Sequence, residues 1–353
     1  MNKTNVVNLV LVGFGNVGKR FSLLLREKSS ELPFRSRVVG VATANHGCFL
    51  DPAGVDITET SSVDRSQCFS EYHDPKNGLP PTDAFELMAR TAQMLPRDST
   101  HRLVVVENTP FAIENGEPGV QHVREALKLG FDVITANKGP AAFAHRELKS
   151  LARKSGLSFL FEGTVLDGLP VFNLIRQALP SIRIVNFRGI LNTTTNYLLF
   201  ALENGRSFQD ALVEMQSAGI AEANIAYDVN GWDAAAKTAI LANELLGAEL
   251  TPHGVDRKGL DTLQLERRMR AAQKQGRTIK LVASAKRTEG KVLATVEPIE
   301  LSTDDPLAQL KETAKGLLLE TDLLGNIQIS KAASNVSHTA YALLSDLITL
   351  NRQ

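Results

Sequence analysis

The run Val6–Val12 passes without a linker into Gly13-Phe14-Gly15-Asn16-Val17-Gly18, and this junction constrains the fold more than any other stretch of the chain. Seven β-prone residues make a strand. Helical spacing follows through Leu23, Leu24 and Leu25 to about residue 29. Strand, G-x-G-x-x-G and helix in that order form the dinucleotide fingerprint. Gly13 serves the tight turn, Gly15 lets backbone approach a pyrophosphate, and Gly18 lets helix and strand pack closely. The helix N-terminus then offers free N–H groups and a positive dipole end to the phosphates. A tight βα turn with no ligand is the competing reading.

A second strand is predicted over residues 37–43. In an NAD-specific site an acid at its end would bind the ribose 2′-hydroxyl. Here Thr43-Ala44-Asn45-His46 supplies neither an acid nor an arginine, which leans toward NADP with NAD also possible. Residues 47–100 are rich in Pro, Gly, Asp and Ser and read as less regular, with a loop over 74–81. Strands return at 103–107 and 131–135, with a helix over 120–129 between them. Such alternation predicts a parallel sheet with right-handed crossovers, and ligands gather at its carboxyl edge. Thr109, Pro110 and Lys138 fall at that edge, where Lys138 also reads as a solvated loop lysine.

A chain of 353 residues suggests two domains. Thirty-nine basic and 39 acidic residues cancel, which argues against binding nucleic acid or an anionic membrane by bulk charge. Two cysteines, Cys48 and Cys68, cannot frame a disulfide scaffold and fit a reducing cytoplasm. The first apolar run is too short for a membrane span.

In the second half, strands are expected over 157–161 and 182–190, with helical spacing after Pro170 and again over 201–212. The stretch 219–247 is the most informative. Glu222, Asp228 and Asp233 punctuate a loop that enters an alanine-rich helix from about Trp232 to the stop at Gly247. Asp233 and Lys237 are four apart and share a face. That spacing also suits an ordinary surface ion pair, worth about 0.3–0.5 kcal/mol. Segments 279–285, 291–298, 306–317 and 327–329 read as strands and a helix, the helix at 306–317, in an α+β arrangement. An amphipathic helix closes the chain over 337–350. No histidine spacing suggests a transition metal.

Taken together, GFGNVG, TANKGP at 135–140, EGTVLDGLP at 162–170, GILNTTTNYLL at 189–199 and DVNGWDAAAKTAILA at 228–242 resemble the homoserine dehydrogenase family across nearly the whole chain. The resemblance implies a Rossmann-like dinucleotide-binding domain, 1–145, to which a C-terminal helix, 335–353, returns. It implies a dimerisation and catalytic domain with a mixed sheet, 146–334. The implied activity interconverts L-homoserine and L-aspartate 4-semialdehyde by hydride transfer with NAD(P), within threonine and methionine biosynthesis, in a cytoplasmic homodimer. By resemblance Lys237, Asp233 and Lys138 are catalytic. Glu222, Asp228 and Thr194 bind substrate, Glu222 through its α-ammonium. Gly13, Phe14, Gly15, Asn16, Val17, Gly18, Thr109, Pro110 and Lys138 hold the cofactor. A monovalent cation, typically sodium, falls to Glu162 and the carbonyls of Val165, Asp167 and Leu169. Hard oxygen ligands suit such an ion.

Three positions depart from the family pattern. Thr193 stands where glycine is usual, Asn224-Ile225 where Asp-Pro is usual, and Lys331-Ala332-Ala333-Ser334-Asn335 where a glycine-rich loop is usual. A regulatory domain is not expected. These departures keep two other readings open: a dehydrogenase of a different small amino-acid semialdehyde or hydroxy acid, and a catalytically weak NAD(P)-binding sensor.

Overall fold

The computed structural model describes residues 5–55, 69, 73–217, 225–260, 262–333 and 335–352. They divide into two compact units, Met1–Gly168 with Val336–Gln353, and Leu169–Asn335.

The first unit is built on β1 (Val6–Val12), whose residues from Val7 to Val12 are all buried. A strand buried on both faces needs cover on both, and α/β wrapping provides it. The sheet order is β3-β2-β1-β4-β5-β6. Here β2 is Arg35–Ala42, β3 Cys48–Val55, β4 His101–Glu107, β5 Asp132–Thr135 and β6 Phe159–Leu160. Because β1 pairs with both β2 and β4, the order reverses there, and a crevice opens at the carboxyl ends. The all-parallel expectation needs one correction. β3 runs antiparallel to β2, since it returns directly without a crossover helix.

Helix α1 (Asn16–Glu27) buries Phe21, Leu24 and Leu25. Helix α10 (Val336–Leu350) brings Ala340, Leu343, Leu344 and Leu347 into the same core. That i, i+3, i+4, i+7 spacing is one helix face. Arg20 Nε donates to Ser337 Oγ at 3.0 Å, and the Glu162 N–H donates to Asp346 Oδ2 at 2.8 Å. The unit therefore extends to Gly168 rather than ending at 145. Helix α5 (His145–Lys154) leads back into β6, which pairs with β5 in the first sheet. Three further helices complete it: α2 (Ala84–Met94), α3 (Gly119–Lys128) and α4 (Lys138–Phe143). The expected irregularity of 47–100 thus gives way to β3 and α2. Asp83 caps α2 by accepting from the Glu86 N–H at 2.8 Å, while Glu86 reaches back to the Thr82 N–H at 2.8 Å.

The second unit has a six-stranded sheet ordered β12-β11-β7-β9-β10-β8. Its strands are β7 (Ile184–Ile190), β8 (Asp256–Arg257), β9 (Arg277–Thr288), β10 (Lys291–Ser302), β11 (Lys315–Thr321) and β12 (Gly325–Lys331). All pairs are antiparallel except β8 with β10, so the sheet is mixed. Its helices are α6 (Thr193–Glu203), α7 (Phe208–Ser217), α8 (Trp232–Leu246) and α9 (Thr262–Gln273). α8 packs its buried alanines against β9 and β10. The helix expected over 306–317 is instead a set of turns leading into β11. Leu307, Ala308, Leu310 and Ala314 are apolar because this segment covers one face of the sheet, and their spacing mimics a helix. No helix among the described residues is long and apolar enough to cross a membrane.

That covering segment is anchored by a buried lysine. Lys280, fully buried on β9, donates to the Leu310 carbonyl at 2.8 Å and to Asn196 Oδ1 at 3.1 Å. Asn196 Nδ2 in turn lies within 3.1 Å of the Leu310, Glu312 and Ala314 carbonyls. Burial lowers the Lys280 pKa to about 8, against about 10.5 for a free lysine. Between those values the unfolded chain holds more protons than the folded one, so stability rises with pH. Thermal melts of the wild type and Lys280→Met from pH 7.5 to 9.5 check this. The wild type gains on the variant as pH rises; a pH-independent difference contradicts the burial argument.

Candidate active site

The first unit carries a cleft of about 780 Å³ at the carboxyl ends of β1, β2 and β4. Gly13, Phe14, Gly15, Thr109 and Pro110 line it, as do Thr43, Ala44, Asn45 and His46. Gly13 has φ +90°, and a Cβ there would lie 2.7 Å from the Asn108 backbone, so only glycine fits. A Cβ at Gly15 would meet nothing within 4 Å, which leaves that backbone open to the cleft. Gly15 caps α1 without a side chain, so the helix's first N–H groups have no side-chain acceptor. Both amide atoms of Asn108 are buried without a hydrogen-bond partner. A buried amide of this kind calls for a polar ligand. Open glycine, uncapped helix and orphaned amide together fit a dinucleotide whose pyrophosphate sits at α1.

Asn16, Val17 and Gly18 form the first turn of α1 and do not line the cleft. Gly18 serves packing, since a Cβ would lie 3.1 Å from the Gly13 carbonyl oxygen. Lys138 opens α4, with its ammonium 5.2 Å from the centroid of the Phe111 ring, and Phe111 lines the cleft.

The second unit gathers the other polar residues around Asn192. This residue caps α6, with Oδ1 accepting from the Thr195 N–H at 2.8 Å and from Thr195 Oγ1 at 2.9 Å. Its Nδ2 donates to Asp228 Oδ1 at 2.7 Å and to Asp233 Oδ2 at 2.9 Å. Asp233 Oδ2 also accepts from Lys237 Nζ at 2.7 Å, and Lys237 donates to the Leu191 carbonyl at 2.9 Å. Lys237 is only 7 % exposed, which removes the surface-pair reading of its i, i+4 spacing. Burial, and then the charge of Asp233, pushes the Asp228 carboxyl above its ordinary value. Hydrogen bonds from Asn192 and Thr194 and the charge of Lys237 oppose that shift.

The turn that positions these acids is pinned from its far side. Gly231 has φ +77°, the left-handed conformation from which α8 departs. Arg257 donates to the Asn230 carbonyl, and its guanidinium lies 3.7 Å from the Trp232 ring centroid. The Leu260 N–H donates to the Val229 carbonyl at 2.9 Å.

Comparison with known proteins decides the family. The family model described as homoserine dehydrogenase matches residues 170–348, and its NAD binding domain matches 13–162. The chain belongs to the homoserine dehydrogenase family. It is therefore an NAD(P)-dependent oxidoreductase acting on a small molecule. Among its relatives, an "NAD(+)-dependent homoserine dehydrogenase" from Pseudomonas canavaninivorans is 35% identical, covering 98% of this chain and 96% of its own. A homoserine dehydrogenase from Sulfurisphaera tokodaii is also 35% identical, over 98% of this chain and 99% of its own. The solved homoserine dehydrogenase of Thermoplasma acidophilum matches with a TM-score of 0.79 at 26% identity, covering 99% of this chain and 100% of that one.

Of the residues expected from the sequence, Thr194, Asp228, Asp233 and Lys237 come together in the second unit. Glu222 lies outside the described residues, as does Asn224. Thr193, the first departure, is the first helical residue of α6. Ile225, the second, caps the single turn Ala226–Val229 that carries Asp228. Ala332 and Ala333, from the third, are exposed, and Ser334 lies outside the described residues. Glu162 and Val165 are buried in and just after the single turn Glu162–Thr164, and Asp167 has φ +45°. Leu169 begins the second unit. No group of three or more His, Cys, Asp or Glu that could hold a metal ion occurs among the described residues. Sequence reasoning missed Asn192. Its signal was present: an asparagine directly before a helical run is an N-cap, but a cap's free amide nitrogen has no sequence signature.

The raised Asp228 carboxyl predicts an acid limb in kcat/KM above the ordinary aspartate range, because protonation there removes a charge from the pocket. Asp228→Asn loses that limb. It also loses roughly tenfold or more in kcat/KM, the value of one charge-assisted hydrogen bond. A pH–rate profile that keeps its acid limb in the variant contradicts the assignment.

Proposed function

We propose that this chain interconverts L-homoserine and L-aspartate 4-semialdehyde, with the polar cluster of the second unit as its substrate site. The observation that supports this reading is the part-buried Asp233–Lys237 pair, held beside Asp228 by Asn192. Reducing an aldehyde requires a polarised carbonyl and a proton for the nascent alkoxide. A bound nicotinamide would supply the hydride. Lys237 polarises the carbonyl oxygen and provides the proton. Asp233 holds the ammonium in place. Glu222, outside the described residues, is assigned the substrate α-ammonium; Asp228 supports that polar pocket, and Thr194 offers a hydroxyl to the substrate. Lys138 completes the proposed catalytic set.

On the cofactor, the lean toward NADP weakens when the cleft is considered. Its described lining contains no Lys or Arg to attract a 2′-phosphate and includes Asp83 and Glu117. NAD is the better fit, in keeping with the name of the Pseudomonas relative. Glu162 with the carbonyls of Val165, Asp167 and Leu169 remains the proposed place for a monovalent cation such as sodium. The reading carries a cytoplasmic homodimer serving threonine and methionine synthesis.

The test is oxidation of NADH, and separately NADPH, with aspartate 4-semialdehyde, by wild type and by Lys237→Ala. Wild type turns over, faster with NADH. The variant loses about 10²–10⁴-fold while its NADH affinity, read by fluorescence, is unchanged. Cofactor binding without any wild-type turnover would remove the substrate assignment and direct attention to the pocket altered at Thr193 and Ile225.

A further inference from the structure

One fully buried carboxylate has no part in the chemistry described so far. Glu107, the last residue of β4, has zero exposure at the carboxyl edge of the first sheet. Every contact the structure gives its side chain comes from a possible donor. The Thr109 N–H donates to Oε1 at 3.1 Å, and Thr109 Oγ1 donates to the same oxygen. Thr135 Oγ1 lies 3.0 Å from Oε2 and 2.8 Å from the Glu107 carbonyl. Asn137 Nδ2 stands 3.5 Å from Oε1, and His122 Nδ1 3.6 Å.

These contacts resolve into two relays that meet at one residue. Asn137 Nδ2 donates to Thr109 Oγ1 at 3.2 Å, and that hydroxyl in turn donates a hydrogen bond to Glu107 Oε1. The Asn137 N–H donates to Thr135 Oγ1 at 3.0 Å, and that hydroxyl faces Oε2. Asn137 is thereby held at both backbone and side chain. Its remaining oxygen accepts the Gly139 N–H at 2.9 Å and caps α4, whose first residue is Lys138. The carboxylate thus fixes, through two hydroxyls, the cap from which the lysine departs. The same hydroxyl of Thr109 ties in the segment 108–110 that walls the cofactor cleft. Buried acceptors of this kind cost several kcal/mol when left without donors, so the arrangement is all-or-none.

We infer that Glu107 is a positioning residue for Lys138, acting through Thr109, Thr135 and Asn137. The inference rests on the role given to Lys138 above. It explains why threonine occupies 109 and 135 and asparagine 137, which the cofactor fingerprint does not.

The experiment is a double-mutant cycle with Glu107→Gln and Lys138→Ala, read in kcat and in NADH affinity. Glutamine keeps the shape but replaces one acceptor oxygen by a donor, so one relay is reversed. Glu107→Gln lowers kcat tenfold or more. In the Lys138→Ala background the same change has less than a threefold effect, because there is no lysine left to misplace. Equal effects in both backgrounds, or wild-type kcat in Glu107→Gln, overturn the inference. Thr135→Val and Thr109→Val, which break one relay each and leave the carboxylate in place, repeat the cycle should Glu107→Gln not fold. A second readout is independent of turnover. In protein with ¹³C-methylated lysines, the Lys138 signal, assigned by its loss in Lys138→Arg, shifts in Glu107→Gln; an unmoved signal overturns the inference. A wild type that oxidises no NADH with the semialdehyde defeats the functional reading instead, and leaves the NMR comparison to decide the positioning.

Discussion

Two carboxylates and an ammonium are kept together in the second unit by the amide of Asn192. Asp228 and Asp233, both half-buried, would otherwise repel each other. A neutral donor bonded to both relieves that repulsion without adding a charge that would compete with Lys237. The amide can do this only because its oxygen is already committed to capping α6, which fixes the rotamer. Helix capping and site assembly are therefore the same set of bonds. The turn Asp228–Trp232 then needs outside support, and Arg257 supplies it from β8. Lys237 is positioned last, one helical turn along α8 from Asp233, where geometry leaves it little choice.

The first unit solves a parallel problem by different means. A dinucleotide must approach backbone closely, so the sequence places glycine at 13 and 15 and leaves the end of α1 without a side-chain cap. The neighbouring loops are drawn together by a buried carboxylate rather than by a buried amide. In both units a strand or helix end is tied by polar hydrogen bonds to residues of the proposed site. Such groups stabilise little by themselves, since each exchanges one hydrogen bond for another with water. Leaving one unpaired inside costs more, and this makes the arrangements specific.

Legibility in the sequence followed locality. β1 and α8 could be read to within a residue or two, because β1 is an apolar run broken only by Asn8 and α8 is an alanine-rich helix ended by Gly247. Lys237 and Asp233 were readable as a pair from spacing, though not as buried; burial depends on β9 and β10, some forty residues or more along the chain. β3 was hidden by its own Asp51, Pro52 and Gly54, and α2 by the Pro- and Gly-rich loop before it, although Asp83 and Glu86 carried a capping signal. The covering segment 306–314 was misread because burial against a sheet can place apolar residues at helical intervals without a helix. Asn192 was legible as a helix cap but not as a donor to two acids, and Glu107 was not found. The distant partners, Asp228 and Asp233 for one and Thr135 for the other, lie 28 or more residues away, and no local pattern marks such a hub.

The central claim is that the Asn192 amide donor assembles the site, and Asn192→Asp tests it most directly. Aspartate caps helices as well as asparagine, so α6 is retained while the donor to Asp228 and Asp233 is replaced by a third carboxylate. The measurement is kcat/KM for aspartate 4-semialdehyde across pH, with thermal melts confirming the fold. The account predicts a loss of about 100-fold or more near neutrality, from two charge-assisted bonds, with partial recovery as the pH is lowered and the new carboxyl protonates. Wild-type activity and an unchanged pH profile in a folded Asn192→Asp protein would contradict it.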